Sequence, residues 1–133
     1  MADDIEERLL RHGISPTRQR RQIARILFAR PQHLSADQVM EQVNREEYIA
    51  SKATVYNTLG LFAKKGLVRE VIVDPTKVFY DSNTEPHHHF YHVDSGHLQD
   101  VDSSFLALAN LPDLPAGTEL DGVDIIVKVR AKA

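Results

Sequence analysis

With 133 residues, 42% hydrophobic and 26% charged, the chain has the composition of an ordinary globular protein, and no apolar run approaches the roughly 20 residues that span a bilayer. It contains no cysteine, which excludes disulfides, cysteine-ligated structural zinc and thiol redox sensing, and leaves His, Asp and Glu as the strong metal ligands. The net charge of -3 hides an asymmetry: residues 1–74 carry 12 Lys+Arg against 10 Asp+Glu, and residues 75–133 carry 4 against 9, so a basic half precedes an acidic one.

The first residues are acidic (Asp3, Asp4, Glu6, Glu7) where a secretory leader would be basic, so a cytoplasmic protein is expected. Asp3 or Asp4 can cap a first helix with Ile5, Leu9 and Leu10 as its apolar stripe, and Gly13 suits the left-handed residue that ends it. Ser15-Pro16-Thr17 then opens a second helix over 18–30, with Ile23, Ile26 and Leu27 at helical spacing. Arg18, Arg20, Arg21 and Arg25 lie largely off that face. Beside a groove-binding helix Arg18, Arg20 and Arg21 are expected to touch phosphate, which positions a protein without specifying sequence.

A third helix opens at Ser35, where Gln38 completes a capping box and Ala36, Val39, Met40 and Val43 form the buried face. The fourth runs from Ser51 to Gly66, with Val55, Leu59 and Phe62 inward. At 100° per residue Ala53, Asn57, Gly60 and Lys64 lie opposite, with Tyr56 on the flank. Such a face suits the major groove: Ala53 and Gly60 give clearance, Thr54, Tyr56 and Asn57 give reach to base edges, and the Ser51-Lys52 start is directed at phosphate. Two β-forming runs at 67–73 and 77–81, joined by Asp74-Pro75-Thr76, complete the pattern of a winged helix.

Four of the seven histidines follow in Glu85-Pro86-His87-His88-His89-Phe90-Tyr91-His92, too far from either end to be a tag. On a strand His87 and His89 project to one face and His88 to the other, so two imidazoles at i and i+2 make half of a metal site. Strands are expected at 87–93 and 97–102, a short helix from Ser103 or Ser104 through Ala109, a stiff connector over 111–117 and a final strand over 118–130. The expected architecture is α+β: a winged helix-turn-helix DNA-binding domain at 1–81 and a small α/β dimerisation and metal- or haem-sensing domain at 82–133. About 50 residues bury little on their own, so a second copy is expected to cover that domain.

Three segments together, Gly13-Ile14-Ser15-Pro16-Thr17-Arg18-Gln19-Arg20, His33-Leu34-Ser35-Ala36-Asp37 and Ala53-Thr54-Val55-Tyr56-Asn57-Thr58-Leu59, resemble the ferric uptake regulator (Fur) superfamily. Within it, Tyr56-Asn57-Thr58-Leu59, His87-His88-His89-Phe90-Tyr91 and the tail from Leu111-Pro112 to Val129 look like the iron response regulator (Irr) branch. The resemblance implies a homodimeric transcription factor, not an enzyme, that binds AT-rich double-stranded operators of iron and haem genes and answers to Fe, Mn, Zn or haem.

It also implies a regulatory metal site built from His33, Asp81, His87, His89 and Asp100; DNA contacts are expected from Arg18, Arg20, Ser51, Lys52, Ala53, Thr54, Tyr56 and Asn57. Haem would take its axial ligand from His87, His88 or His89 and compete with the metal. The family's paired-cysteine zinc site is not to be expected, since His92 and Ser95 stand at the matching positions. Its second metal site in the dimerisation domain is interrupted by Pro86 and His88, and Asn57 stands where arginine is common. A His/Asp metalloenzyme is the competing class, but the sequence has no HExxH, nucleophile elbow or glycine-rich phosphate loop.

Overall fold

The computed structural model describes residues 2–101 and 111–133, and the helix expected from Ser103 or Ser104 to Ala109 lies outside them. The chain divides into two compact units, Met1–Thr84 and Glu85–Ala133, so that Asp81 belongs to the first.

The first unit opens with helix α1 (Ala2–Arg11) and helix α2 (Arg18–Phe28). Asp3 and Asp4 lie inside α1 and do not cap it from outside, and Leu10 is exposed, leaving Ile5 and Leu9 as the inward residues. Gly13 takes φ +72 and lets the chain turn so that the Gly13 and Ile14 N–H groups donate to Leu10 and Leu9 O, satisfying carbonyls the helix end would orphan. Thr17 caps α2 by accepting from the Arg20 N–H.

Strand β1 (His33–Ser35) follows, too short to carry a sequence signature of its own, and leads directly into helix α3 (Ala36–Val43). The capping box at the start of α3 is formed in both directions, Gln38 N–H to Ser35 Oγ at 3.2 Å and Ser35 N–H to Gln38 Oε1 at 2.9 Å. Helix α4 (Lys52–Lys64) is capped by Ser51 and ends in a paired turn, Gly66 (φ +78) to Ala63 O and Leu67 to Phe62 O.

Strands β2 (Arg69–Asp74) and β3 (Lys77–Asp81) form the wing, and β1 adds to β3, giving an antiparallel sheet in the order β1-β3-β2. Four helices and the sheet close over one core in which Leu9, Ile23, Leu27, Val39, Val55, Leu59 and Phe62 are fully buried. Truncating a ring such as that of Phe62 would cost about 3–5 kcal/mol, because packed surroundings relax only partly into the void.

Among its described residues the second unit forms a three-stranded sheet ordered β5-β4-β6, built from β4 (His88–His92), β5 (His97–Val101) and β6 (Ile126–Val129). β4 and β5 form an antiparallel hairpin whose turn places Gly96 at φ +74. β6 runs parallel to β4, His89 opposite Ile126 and His92 opposite Val129. The final strand is therefore shorter than the 118–130 expected: residues 111–125 have no strand structure, because β4 offers a ladder partner only to 126–129. Among the described residues no helix is long and apolar enough to cross a membrane.

Candidate metal centre

The first unit brings two of the expected ligands together through its sheet. His33 opens β1 and lies directly opposite Asp81, the last residue of β3. The His33 ring is half-buried and meets Phe79 edge-on at 6.1 Å. Asp81 is buried, and its Oδ1 accepts the Asn83 N–H at 2.9 Å. The neighbouring residues tie the two strand ends: the Ser82 N–H donates to Gln32 O at 3.2 Å, and Ser82 Oγ does the same at 3.2 Å.

The second unit brings together three more. His87 stands just before β4, and its Nδ1 is 2.7 Å from Glu85 O. A carbonyl can only accept, so Nδ1 carries a proton, the arrangement by which a metal-ligating histidine is usually oriented with its Nε2 toward the ion. That Nε2 lies 3.4 Å from Asp100 Oδ1, and His89 Nε2 lies 3.3 Å from the same oxygen. Asp100 reaches this point because it is the cross-strand partner of His89 on β5. The two rings are 4.5 Å apart, and both are buried.

The donor set passes a simple test of fit. Metal–N and metal–O bonds of about 2.1 Å place neighbouring ligand atoms about 3.0–3.4 Å apart around one ion, and the observed separations of 3.3 and 3.4 Å fall at that edge length. His87, His89 and Asp100 each offer a ligand atom within 4.8 Å of the others.

His88 is placed differently. It points to the opposite face of β4, is buried, and its Nδ1 accepts the Ile125 N–H at 3.2 Å, so it holds the entry to β6. A haem using His88 would have to break that bond. His92, at the position of the missing cysteine pair, has Nε2 2.8 Å from Gln99 Oε1 and its ring 5.6 Å from that of His97.

Of the residues expected to meet DNA, Ser51, Lys52, Ala53, Tyr56 and Asn57 are exposed on α4, and Thr54 is half-buried. Ser51 Oγ accepts the Thr54 N–H at 3.2 Å and lies 3.0 Å from Thr54 Oγ1, so both hydroxyls serve the helix cap. The Lys52 ammonium sits 5.9 Å from the centre of the Tyr56 ring. Arg18 is paired with Glu47 at 2.8 Å, and Arg20 Nη1 donates to Ser15 O at 3.0 Å.

Sequence reasoning missed the residues that set the position of α4. Asn44 Oδ1 accepts from the Ile49 and Ala50 N–H groups at 2.7 and 3.0 Å, while Asn44 Nδ2 donates to Ala50 O at 2.9 Å. Gln19 Nε2 donates to Ile49 O at 3.1 Å, fixing the same loop to α2. The available signal was an asparagine at the end of a helix, where its amide can bridge the turn.

The model of the ferric uptake regulator family matches residues 11–110. The chain is 32% identical over 88 residues to the peroxide-responsive repressor PerR of Staphylococcus aureus (strain Mu50 / ATCC 700699), a match covering 66% of this chain and 60% of that protein. It thus spans about 60% of the length of such curated relatives. Among solved structures it is similar to the manganese-containing ferric uptake regulator of Pseudomonas aeruginosa (TM-score 0.71, 24% identity, 96% of this chain and 98% of that one). It is also similar to the ferric uptake regulator of Francisella tularensis with iron (TM-score 0.71, 22% identity, 90% and 93%). At these identities the structural likeness concerns the fold.

Proposed function

This chain belongs to the ferric uptake regulator family, and from that membership we propose that it is a metal-responsive transcriptional regulator of iron and haem homeostasis genes, binding AT-rich operator DNA as a homodimer. The observation that carries the reading is the convergence of His87 Nε2, His89 Nε2 and Asp100 Oδ1 in the second unit, matched by the facing His33 and Asp81 in the unit that bears α4. One ion recruiting both sets would fix the angle of α4 relative to the dimer, and so its fit to half-sites one or more helical turns apart. Metal then changes DNA affinity without touching DNA.

A nitrogen and oxygen donor set of this kind suits Fe(II), Mn(II) or Zn(II), and lacks the thiolates that would favour a structural zinc site. When bound, the ion supplies charge and coordination geometry; the protein orients His87 through Glu85 and His89 through the β4–β5 ladder. Exposed Leu111, Leu114 and Leu120 in the second unit support a dimer interface. The Irr-like branch is the finer placement, supported by the His87-His88-His89-Phe90-Tyr91 run and by Asn57. Haem is the less favoured effector, since His87, His88 and His89 are all buried and His88 is committed to the sheet. A metalloenzyme is not favoured, because family membership points to regulation.

The direct test is a mobility-shift titration on an AT-rich duplex with Mn(II) or Zn(II) against a chelator. Metal-dependent, salt-sensitive retention is expected. Retention indifferent to metal would refute the proposal.

A further inference from the structure

A second feature of the first unit is unrelated to the metal ligands in chemistry but shares their scaffold. An open hollow of about 540 Å³ lies among Arg8 of α1, Phe28 at the end of α2, Arg30 just beyond it, and Ser82 and Asn83 after β3. Both guanidiniums are held at its wall. Arg8 stacks on the Phe28 ring, its Cζ 4.3 Å from the centroid, and Arg30 Nε donates to Gln32 Oε1 at 3.4 Å.

Arg18 and Arg45 of the same unit are paired with carboxylates, Glu47 and Glu41. Among the described residues no carboxylate pairs with Arg8 or Arg30. Two guanidinium forks lining one hollow form a recognition surface for an oxyanion, since guanidinium donors match carboxylate and phosphate oxygens bidentately. The geometry points to a binding site here for a small multivalent oxyanion, a phosphate or a dicarboxylate.

The site is wired to the ligand pair of the same unit. Asn83 lines the hollow, and its N–H is the donor to Asp81 Oδ1; Ser82 lines it too and is bonded to Gln32, the residue before His33. Filling the hollow therefore acts on the strand ends that present His33 and Asp81. That regulatory consequence rests on the proposed metal centre, whereas oxyanion binding does not. Duplex phosphate is the less fitting occupant, because the hollow sits at the far end of α2 from Arg18, about 15 Å along the helix.

The test is an NMR titration of the full, metal-free, ¹⁵N-labelled chain with inorganic phosphate and, separately, succinate, at constant ionic strength. The expected result is that Arg8 Nε, Arg30 Nε and the Asn83 amide move together on one saturable curve, with Kd below about 10 mM for at least one probe. The probe that saturates identifies the source. Arg8→Gln and Arg30→Gln should each weaken it about tenfold or more, and Arg45→Gln should leave it unchanged. Circular dichroism confirms the fold of each variant, and Arg30→Gln alters only an exposed side chain. Linear, unsaturating shifts with both probes would overturn the proposal, as would variants that weaken duplex binding alone.

Discussion

His33 and Asp81 face one another across the β1–β3 ladder, so one backbone pairing presents an imidazole and a carboxylate at the same edge of the DNA-binding unit. If the metal acts by joining this pair to the second unit, His33→Ala should uncouple rather than abolish. Metal binding to His87, His89 and Asp100 persists, weakened by at least about tenfold, while operator affinity loses its dependence on Mn(II). Paired metal-binding and mobility-shift titrations check this; undiminished metal dependence of DNA binding in the variant would remove His33 from the mechanism.

Adjacent histidines on β4 should separate by role. His89→Ala removes a ligand and should lower metal affinity about tenfold or more. His88→Ala instead leaves the part-buried Ile125 N–H without its acceptor, costing about 0.5–1.5 kcal/mol of stability with metal affinity nearly unchanged. Urea denaturation and competition with a chelating dye measure the two. A His88→Ala protein as stable as wild type but unable to take haem would favour the haem reading.

The exposed Arg18–Glu47 pair should act as a brake on DNA rather than a brace for the fold. An ion pair so open to water contributes about 0–1 kcal/mol, so Glu47→Gln should leave the melting temperature nearly unchanged. Freed of its carboxylate, Arg18 can neutralise phosphate, and the salt dependence of duplex binding should steepen by about one ion. An identical slope in the variant would mean that Arg18 stays away from the backbone.

Tyr80 predicts an alkaline limit. Burial first, then the charge of Glu70 opposite it on β2 and the nearby Tyr56, push its phenol above the ordinary range. The folded state therefore holds the proton more tightly than the unfolded one. Its contribution is complete below the unfolded value of about 10 and is lost as pH rises through and beyond it. In denaturant titrations Tyr80→Phe should flatten the fall in stability above that pH; an unchanged slope would mean the phenol is not the group responsible.

Periodicity and caps made the first unit readable from sequence. Thr17, Ser35 and Ser51 each cap the helix they precede, and Val55, Leu59 and Phe62 are buried as their spacing requires. What could not be read depends on distant partners. β1 has three residues, too few to show alternation, and exists because β3 pairs with it across more than forty residues. The alternation of Val123, Ile125, Val127 and Val129 suggested a longer strand than β4 can pair. Leu10 looked inward from its neighbours, yet the core reaches only Ile5 and Leu9. For the site, His87 and His89 declared themselves by composition, but the proximity of Asp100 to them follows from hairpin register, and Asn44 and Gln19 act through loop hydrogen bonds that carry no sequence period.

The parallel pairing of β4 with β6 has a kinetic consequence. Ile125 bonds to His88 and His89 from 37 and 36 residues further along the chain, so this edge closes across a wide sequence separation, and a four-residue strand holds it. Such an edge is the natural place for transient breathing, and each opening loosens the backbone beneath two adjacent imidazoles. The exchange of an ion with its surroundings would then be timed by fraying of the sheet rather than by diffusion to its surface.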